Sequence, residues 1–336
     1  MRTAICDALG IELPIVQAPI QGPIGDPAAL ALPAAVCGAG GLGTISLWRA
    51  ETDTLRARIR DLKRLTSKPF AVNLNLDFPQ DKRLDACLEE GVPAVSFFWG
   101  DPSRLVGRAK ESGAIVLHTV ASASEAKAAV QCGVDIVVAQ GWEAGGHVLG
   151  TVATLALVPA VVDAVAPVPV IAAGGIADGR ALAAVLALGA AGAWIGTRFL
   201  ASAEVAAHEH YRERLLAACE NDTVYLERLF DIGWPNAPHR ALRNPTVTAW
   251  EAAGRPLAGN RPGEGEVVAT SKSRGPVVRY GAVPPMADVE GDLEALPMWA
   301  GQGVAQLRKV QPAAEIVQEI HDEACAIFRR LGAMAR

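Results

Sequence analysis

The sequence lacks the paired cysteines from which disulfide frameworks and zinc sites are built. Its six cysteines, at positions 6, 37, 87, 132, 219 and 325, stand singly, with no CxxC and no Cys/His ligand spacing. That pattern predicts no metal site and reads as small hydrophobic residues in a reducing compartment. Runs of lysine and arginine are also missing, as are stripes of basic and aromatic residues, and the formal net charge is only −5. Nucleic acid and anionic membrane surfaces are therefore excluded as expected partners. No uncharged apolar run is long enough to span a bilayer, because the longest apolar region, 151–173, contains Asp163, Pro159, Pro167 and Pro169. The opening "MRTAICDALGIELPIVQAPI" is broken by acids and prolines and has no signal-peptide cleavage pattern. A cytoplasmic protein acting on a small molecule is the expectation.

Three nucleotide and nucleophile signatures are absent too. There is no GxxxxGK[ST], no GxSxG, and no GxGxxG in a strand-turn-helix setting; "GAGGLG" (38–43) falls before and within a strand and reads as a turn. Neither a P-loop nor a dinucleotide fingerprint nor a serine triad is predicted.

What is present is apolar material for a large core: 51% of residues are hydrophobic and 20% charged. Eight short β-rich runs recur, at 14–20, 41–46, 70–76, 94–99, 115–120, 135–141, 168–175 and 191–197. Most are continuously apolar, as strands covered on both faces require. Helical segments follow at 52–65, 81–91, 102–113, 124–133 and 179–189, several ending in glycine. Eight βα units with short returns and no polar edge strand predict an α/β fold, a (β/α)8 TIM barrel. After Ser202 the rhythm breaks: 203–221 reads as a helix, and 231–300 is rich in Pro, Gly and Arg without period. A final helix over 312–332 carries an apolar stripe of Ile316, Ile320, Ala324, Ile327 and Leu331. The expected organisation is a barrel of residues 1–202 and 301–336. A helical or irregular insertion, 203–300, lies between strand eight and the last helix and covers the active site.

In a parallel barrel only residues at the carboxyl ends of the strands are placed to react. Two glycine-bearing turns follow strands seven and eight, "AAGGIADGR" and "IGTRFLAS". Together with the Thr197 hydroxyl they predict a phosphate cradle, which a mononucleotide such as FMN fits better than a dinucleotide. Gln17, Asn73 and Gln140 place amides at three strand ends, suited to the polar edge of a flavin. His147 follows Gly145 and Gly146 just after strand six, where position favours chemistry over a turn filler. Glu143 either orients it or caps the next turn. His118, ending strand five, is a second candidate, balanced against an interior structural histidine. His208, His210, His239 and His321 read as surface or local structure.

The motifs "PIVQAPIQGP", "FAVNLNL", "AQGWEAGGHVLG", the long "VIAAGGIADGR…IGTRFLAS" and "AGQGVAQLRKVQPAAEIVQEI" resemble the nitronate monooxygenase family, formerly 2-nitropropane dioxygenases. The resemblance covers most of the chain and is weakest over 203–297. It implies an FMN-dependent barrel with the cofactor held by Ala18, Pro19, Ile20, Asn73, Gln140, Gly146, Gly174, Gly175, Gly196 and Thr197. Ile20 stands where the family often has methionine. The resemblance further implies His147 as the catalytic base or hydrogen-bond partner; His118 remains a secondary candidate from its position alone. The reaction so implied is oxidation of an alkyl nitronate by O2 to a carbonyl compound and nitrite. Relatives sharing EAGGH and AAGGI include enoyl-ACP and quinone reductases that use NAD(P)H, which is the alternative activity. The oligomeric state stays open, with a homodimer as one candidate.

Overall fold

The eight apolar runs form eight parallel strands: β1 (Ile15–Gln17), β2 (Gly43–Ser46), β3 (Phe70–Asn75), β4 (Ala94–Phe98), β5 (Ile115–Val120), β6 (Ile136–Gln140), β7 (Val170–Ala173) and β8 (Gly192–Ile195). These come from a computed structural model that describes residues 1–20, 22–23 and 26–335. Each strand pairs with its sequence neighbours, β8 pairs with β1 in register Ile15↔Ala193, and a Val16↔Leu42 bridge closes β1 on β2. The result is the predicted (β/α)8 barrel.

The continuity of the apolar runs has a packing cause. Val16, Leu42, Ala71, Leu117, Val138 and Ile171 fill the barrel interior, while Val72, Val95, Val116, Val137 and Ala172 alternate outward into the layer beneath the helices. The helix Ala4–Leu9 plugs the amino-terminal end with Ile5, and Gly192 suits the position because a Cβ would sit 2.7 Å from the Pro14 carbonyl oxygen. No helix among the described residues is long and apolar enough to cross a membrane. Cys37 and Cys87 are buried thiols whose pKa values burial pushes up to about 11 and about 12, which keeps them protonated and unreactive.

Two barrel helices escape the sequence pattern, Ala31–Gly38 and Thr154–Val165. The second carries Pro159 in its interior, the residue that normally argues against a helix there, whereas Pro33 of the first sits in the opening turn, where proline is tolerated. Both are buried along one face, so tertiary packing outweighs propensity. The last helix, Ala313–Met334, buries Ile316, Ile320 and Ala324, but its stripe fades outward, with Leu331 47% exposed.

Over 203–300 the structure is richer in strands than the sequence suggests. The only long helices there are Glu209–Ala217 and Pro245–Ala252. Thr223–Leu226 pairs antiparallel with His239–Leu242, and Val267–Ser271 is flanked by Gly275–Val278 and Val289–Gly291. These strands are three to five residues long, too short to impose a readable alternation. Leu226, Leu229, Phe230, Val247 and Tyr280 give the segment a small core of its own.

Candidate active site

The loop after β6 is the most heavily constrained element at the barrel mouth. Gln140 donates from Nε2 to the His147 carbonyl at 3.0 Å and accepts the Leu149 N–H on Oε1 at 2.9 Å, so both ends of its amide hold the loop. Glu143 accepts from the Thr154 N–H and hydroxyl at 2.9 and 2.8 Å, which makes it the cap of the helix Thr154–Val165. From above, His239–Leu242 pairs with the two-residue strand Gly146–His147, and the buried Arg240 guanidinium donates to the Trp142 carbonyl at 2.9 Å. Gly145 passes so close to Gly301 that a Cβ would lie 2.3 Å from its nitrogen. Only glycine permits that crossing.

So held, His147 borders a cavity of about 220 Å³ at the carboxyl end of the barrel. Its ring lies 3.9 Å from Trp234 at 31°, with Trp299 at 5.4 Å and Trp99 at 6.4 Å. Its Nε2 is buried and has no partner among the described residues. Burial, then the neighbouring His239 and Arg49, hold its pKa well below 6.5. The imidazole is neutral at physiological pH, and neither ring nitrogen has a hydrogen-bond partner among the described residues. Trp99 reaches it from a left-handed backbone, φ 63°, a conformation costly for a bulky residue.

Glycine turns line the same cavity. Gly174 (φ +105°) and Gly175 (φ +70°) follow β7, and a Cβ on Gly174 would lie 2.8 Å from the Gly141 carbonyl. After β8, Gly196 leads into the turn Thr197–Ala201. The backbone N–H groups of Gly175, Gly196 and Thr197 donate to no backbone carbonyl among the described residues. Such a row of free donors beside glycines is what an oxyanion or phosphate needs.

Of the residues predicted from sequence, Ala18, Pro19, Asn73, Gln140, Gly146, His147, Gly174, Gly175, Gly196 and Thr197 line this one cavity. Asn73 turns its Nδ2 to the Ser96 carbonyl at 3.2 Å. Ile20 borders smaller clefts to the side instead. His118 is not in the cavity either: its strand neighbours Leu117 and Thr119 face inward, and alternation turns it out against Asp101, where burial lowers its pKa to about 4. His239, expected at the surface or in local structure, is fully buried, 5.8 Å from His147. It donates from Nδ1 to the Ala237 carbonyl (3.0 Å) and accepts the Phe230 N–H on Nε2 (3.4 Å), an arrangement open only to the neutral ring. Its pKa falls to about 4 through burial.

Sequence reasoning missed the aromatic walls. Trp48, Phe98 and Trp194 come from the barrel, Trp234 and Trp299 from the 203–300 segment, and Arg49 lies among them. Trp48 and Arg49 follow the end of β2 by two and three residues, so the strand-end rule extends to them. Nothing periodic marks Trp234 or Trp299.

The three buried histidines tie stability to pH. Their folded pKa values lie below that of an unfolded histidine, about 6.5. Below about pH 6.5 the unfolded chain takes up protons that the folded one refuses, so stability is full above that pH and falls as pH drops toward 4. Each histidine contributes a slope of about 1.4 kcal/mol per pH unit in that window. A melting series from pH 7.5 to 4.5 is expected to show a steepening fall in Tm below 6.5, made shallower by His118→Gln. A flat series would show that these rings are solvated.

The family model for nitronate monooxygenase matches residues 2–82 and 75–323. The chain belongs to the nitronate monooxygenase family. A nitronate monooxygenase of Paraburkholderia phytofirmans is 31% identical, covering 96% of this chain and 95% of that one. A Mycobacterium tuberculosis (3aS,4S,5R,7aS)-5-hydroxy-7a-methyl-1-oxo-octahydro-1H-indene-4-carboxyl-CoA dehydrogenase is 39% identical over 76% of this chain and 70% of its own. Among solved structures, FabK from Thermotoga maritima superposes with a TM-score of 0.82 at 36% identity, covering 99% of both chains. This nitronate monooxygenase family member is accordingly an oxidoreductase, and its EAGGH loop and glycine turns are the elements that build the cavity.

Proposed function

We propose that the protein is an FMN-dependent enzyme that oxidises alkyl nitronates with O2 to a carbonyl compound and nitrite, and that residues 203–300 form the wall that closes over the reaction. The observation that carries the reading is the joint placement of a neutral, uncommitted His147 imidazole and a glycine cradle with free N–H groups in one cavity. The residues present fit the cofactor: Gly174, Gly175, Gly196 and Thr197 suit its phosphate, and Ala18, Pro19, Asn73 and Gly146 line the same cavity as His147. When bound, FMN would supply the electron acceptor for the oxidation, with O2 as the final oxidant.

The protein's own part is to place and deprotonate. The His147 ring either donates to a nitronate oxygen from its protonated nitrogen or takes the α-proton of a neutral nitroalkane on its bare one, and burial keeps it in the neutral form that has one of each. The Trp99, Trp234 and Trp299 rings around it limit water at the reacting carbon. Anaerobic mixing tests the reading: a nitronate is expected to bleach the flavin absorbance, and air to restore it with release of nitrite. Bleaching by NADH but not by a nitronate would instead support reduction of an enoyl thioester or quinone. The likeness to FabK and to the CoA-thioester dehydrogenase favours that second reading.

A further inference from the structure

Among the described residues no hydrogen bond orients the His147 ring, since neither of its nitrogens has a partner. A reacting histidine is commonly turned by a carbonyl or carboxylate on its second nitrogen. Here the direction of the imidazole is left to the rings packed against it. The nearest is Trp234, 3.9 Å away at 31°, with Trp299, His239 and Trp99 at 5.4, 5.8 and 6.4 Å. His147 is therefore only as well placed as the Trp234 indole.

Trp234 is itself almost wholly buried, with Trp99, Trp48, Phe78 and Phe98 at 5.2, 5.5, 5.9 and 6.4 Å. Aromatic pairs are satisfied anywhere from about 4.5 to 7 Å, so these four rings leave the indole room to slide. One directional contact removes that freedom. The Trp234 Nε1–H donates to Asp77 Oδ2 at 2.7 Å, short for an N–H donor, as bonds to a carboxylate are.

Both partners stand on fixed backbone. Asp77 follows β3, where the Leu76 N–H donates to the Phe98 carbonyl at 2.9 Å and the Asp77 N–H to Asn75 Oδ1 at 3.0 Å. Beneath Trp234, the Gly233 carbonyl accepts from Arg49 at 2.9 Å. The Trp234 N–H donates to the Asp231 carbonyl at 3.0 Å, and the Asp231 carboxylate is paired with the buried Arg261 at 2.6 Å. Those contacts hold the main chain, and the bond to Asp77 holds the indole. It also joins the 203–300 segment, which carries Trp234, to the barrel, which carries His147.

We propose that Asp77 is a positioning residue for His147: through Trp234 it holds the indole against the imidazole, which fixes the direction of the ring and keeps water from it. This role rests on reading His147 as the reacting group, and it supplies that histidine with an orienting carboxylate that the ring does not touch. Asp77 is exposed, so replacing it disturbs no core.

The test follows the histidine rings of the flavin-loaded protein by NMR from about pH 8 to about pH 5, a window that spans the ordinary histidine value. The His147 signals are identified by their loss in His147→Asn. In the unmodified protein they should not titrate in that window. In Asp77→Ala they should titrate within it, a rise in proton affinity of about tenfold or more, because water reaches the ring and relieves its desolvation. His239 and Arg49, the other groups whose charge bears on the ring, are kept in every variant. His118, buried outside the cavity, should not change.

Asp77→Asn keeps an oxygen acceptor and should have a smaller effect. Trp234→Phe should reproduce the Asp77→Ala titration, and adding Asp77→Ala to it should change nothing further, as two groups acting through one bond require. The indole N–H signal that disappears in Trp234→Phe should exchange with water faster in Asp77→Ala than in the unmodified protein. An unshifted His147 in Asp77→Ala, an equal shift of His118, or a full Asp77→Ala effect in the Trp234→Phe background would overturn the role. No turnover is measured, so a failure of the proposed nitronate chemistry would show in the flavin absorbance and leave this titration readable.

Discussion

Replacing His147 with asparagine is expected to lower kcat for a neutral nitroalkane by about 10²–10⁴-fold, the range lost with a positioned general base, while the flavin stays bound. Asparagine keeps a polar amide of similar reach but has no nitrogen that accepts a proton. The loss should fall mainly on kcat, because the aromatic walls that surround the substrate (Trp99, Trp234, Trp299) remain. With a preformed nitronate the loss should be smaller, since no proton has to be removed and the asparagine N–H still donates. The pH profile adds a second check. His147 is protonated only well below pH 6.5, so activity from its unprotonated form should be level from about pH 6.5 upward and fall only at lower pH. A limb centred at the ordinary histidine value would mean that the ring is solvated. Equal turnover in the asparagine variant would remove His147 from the chemistry.

The barrel is legible in the sequence because its strands are buried on both faces. Val137 packs under helices while Val138 fills the interior, so neither position tolerates a polar residue. The 203–300 segment obeys no such rule: strands such as Val289–Gly291 have one buried residue and two exposed ones, and no period emerges from three positions. The glycine part of the site is legible for a different reason. Gly146, Gly174 and Gly175 adopt positive φ, and that requirement restricts residue type locally. The aromatic part is not, because it is made by contact between distant segments. Trp48 and Trp234 meet at 5.5 Å, yet neither has a local conformation that demands tryptophan. His239 misleads on the same account: its burial follows from pairing with His147 across the segment boundary, which no local pattern announces.

Gly174→Ala is expected to yield a folded protein that purifies with little or no flavin. At φ +105° an alanine is strained by about 1–3 kcal/mol, and its Cβ would lie 2.8 Å from the Gly141 carbonyl and 2.9 Å from the Thr154 hydroxyl. Neither atom retreats easily, since Gly141 begins the loop that holds His147 and Thr154 is fixed by Glu143. The turn itself must therefore shift, and with it the free N–H of Gly175. Losing one or two charge-assisted hydrogen bonds of about 1.5–3 kcal/mol each should weaken FMN binding by about 10–100-fold or more, measured by quenching of flavin fluorescence on titration into apoprotein. Gly254→Ala is the matching control. Gly254 also has a positive φ, +81°, but a Cβ there meets nothing within 4 Å and the residue does not line the cavity. It should lose stability to a similar strain and keep its flavin. If both variants lost flavin equally, general destabilisation would explain the result and the cradle would have no special role. If Gly174→Ala bound FMN as tightly as the unmodified protein, the phosphate would have to sit elsewhere than the turns after β7 and β8.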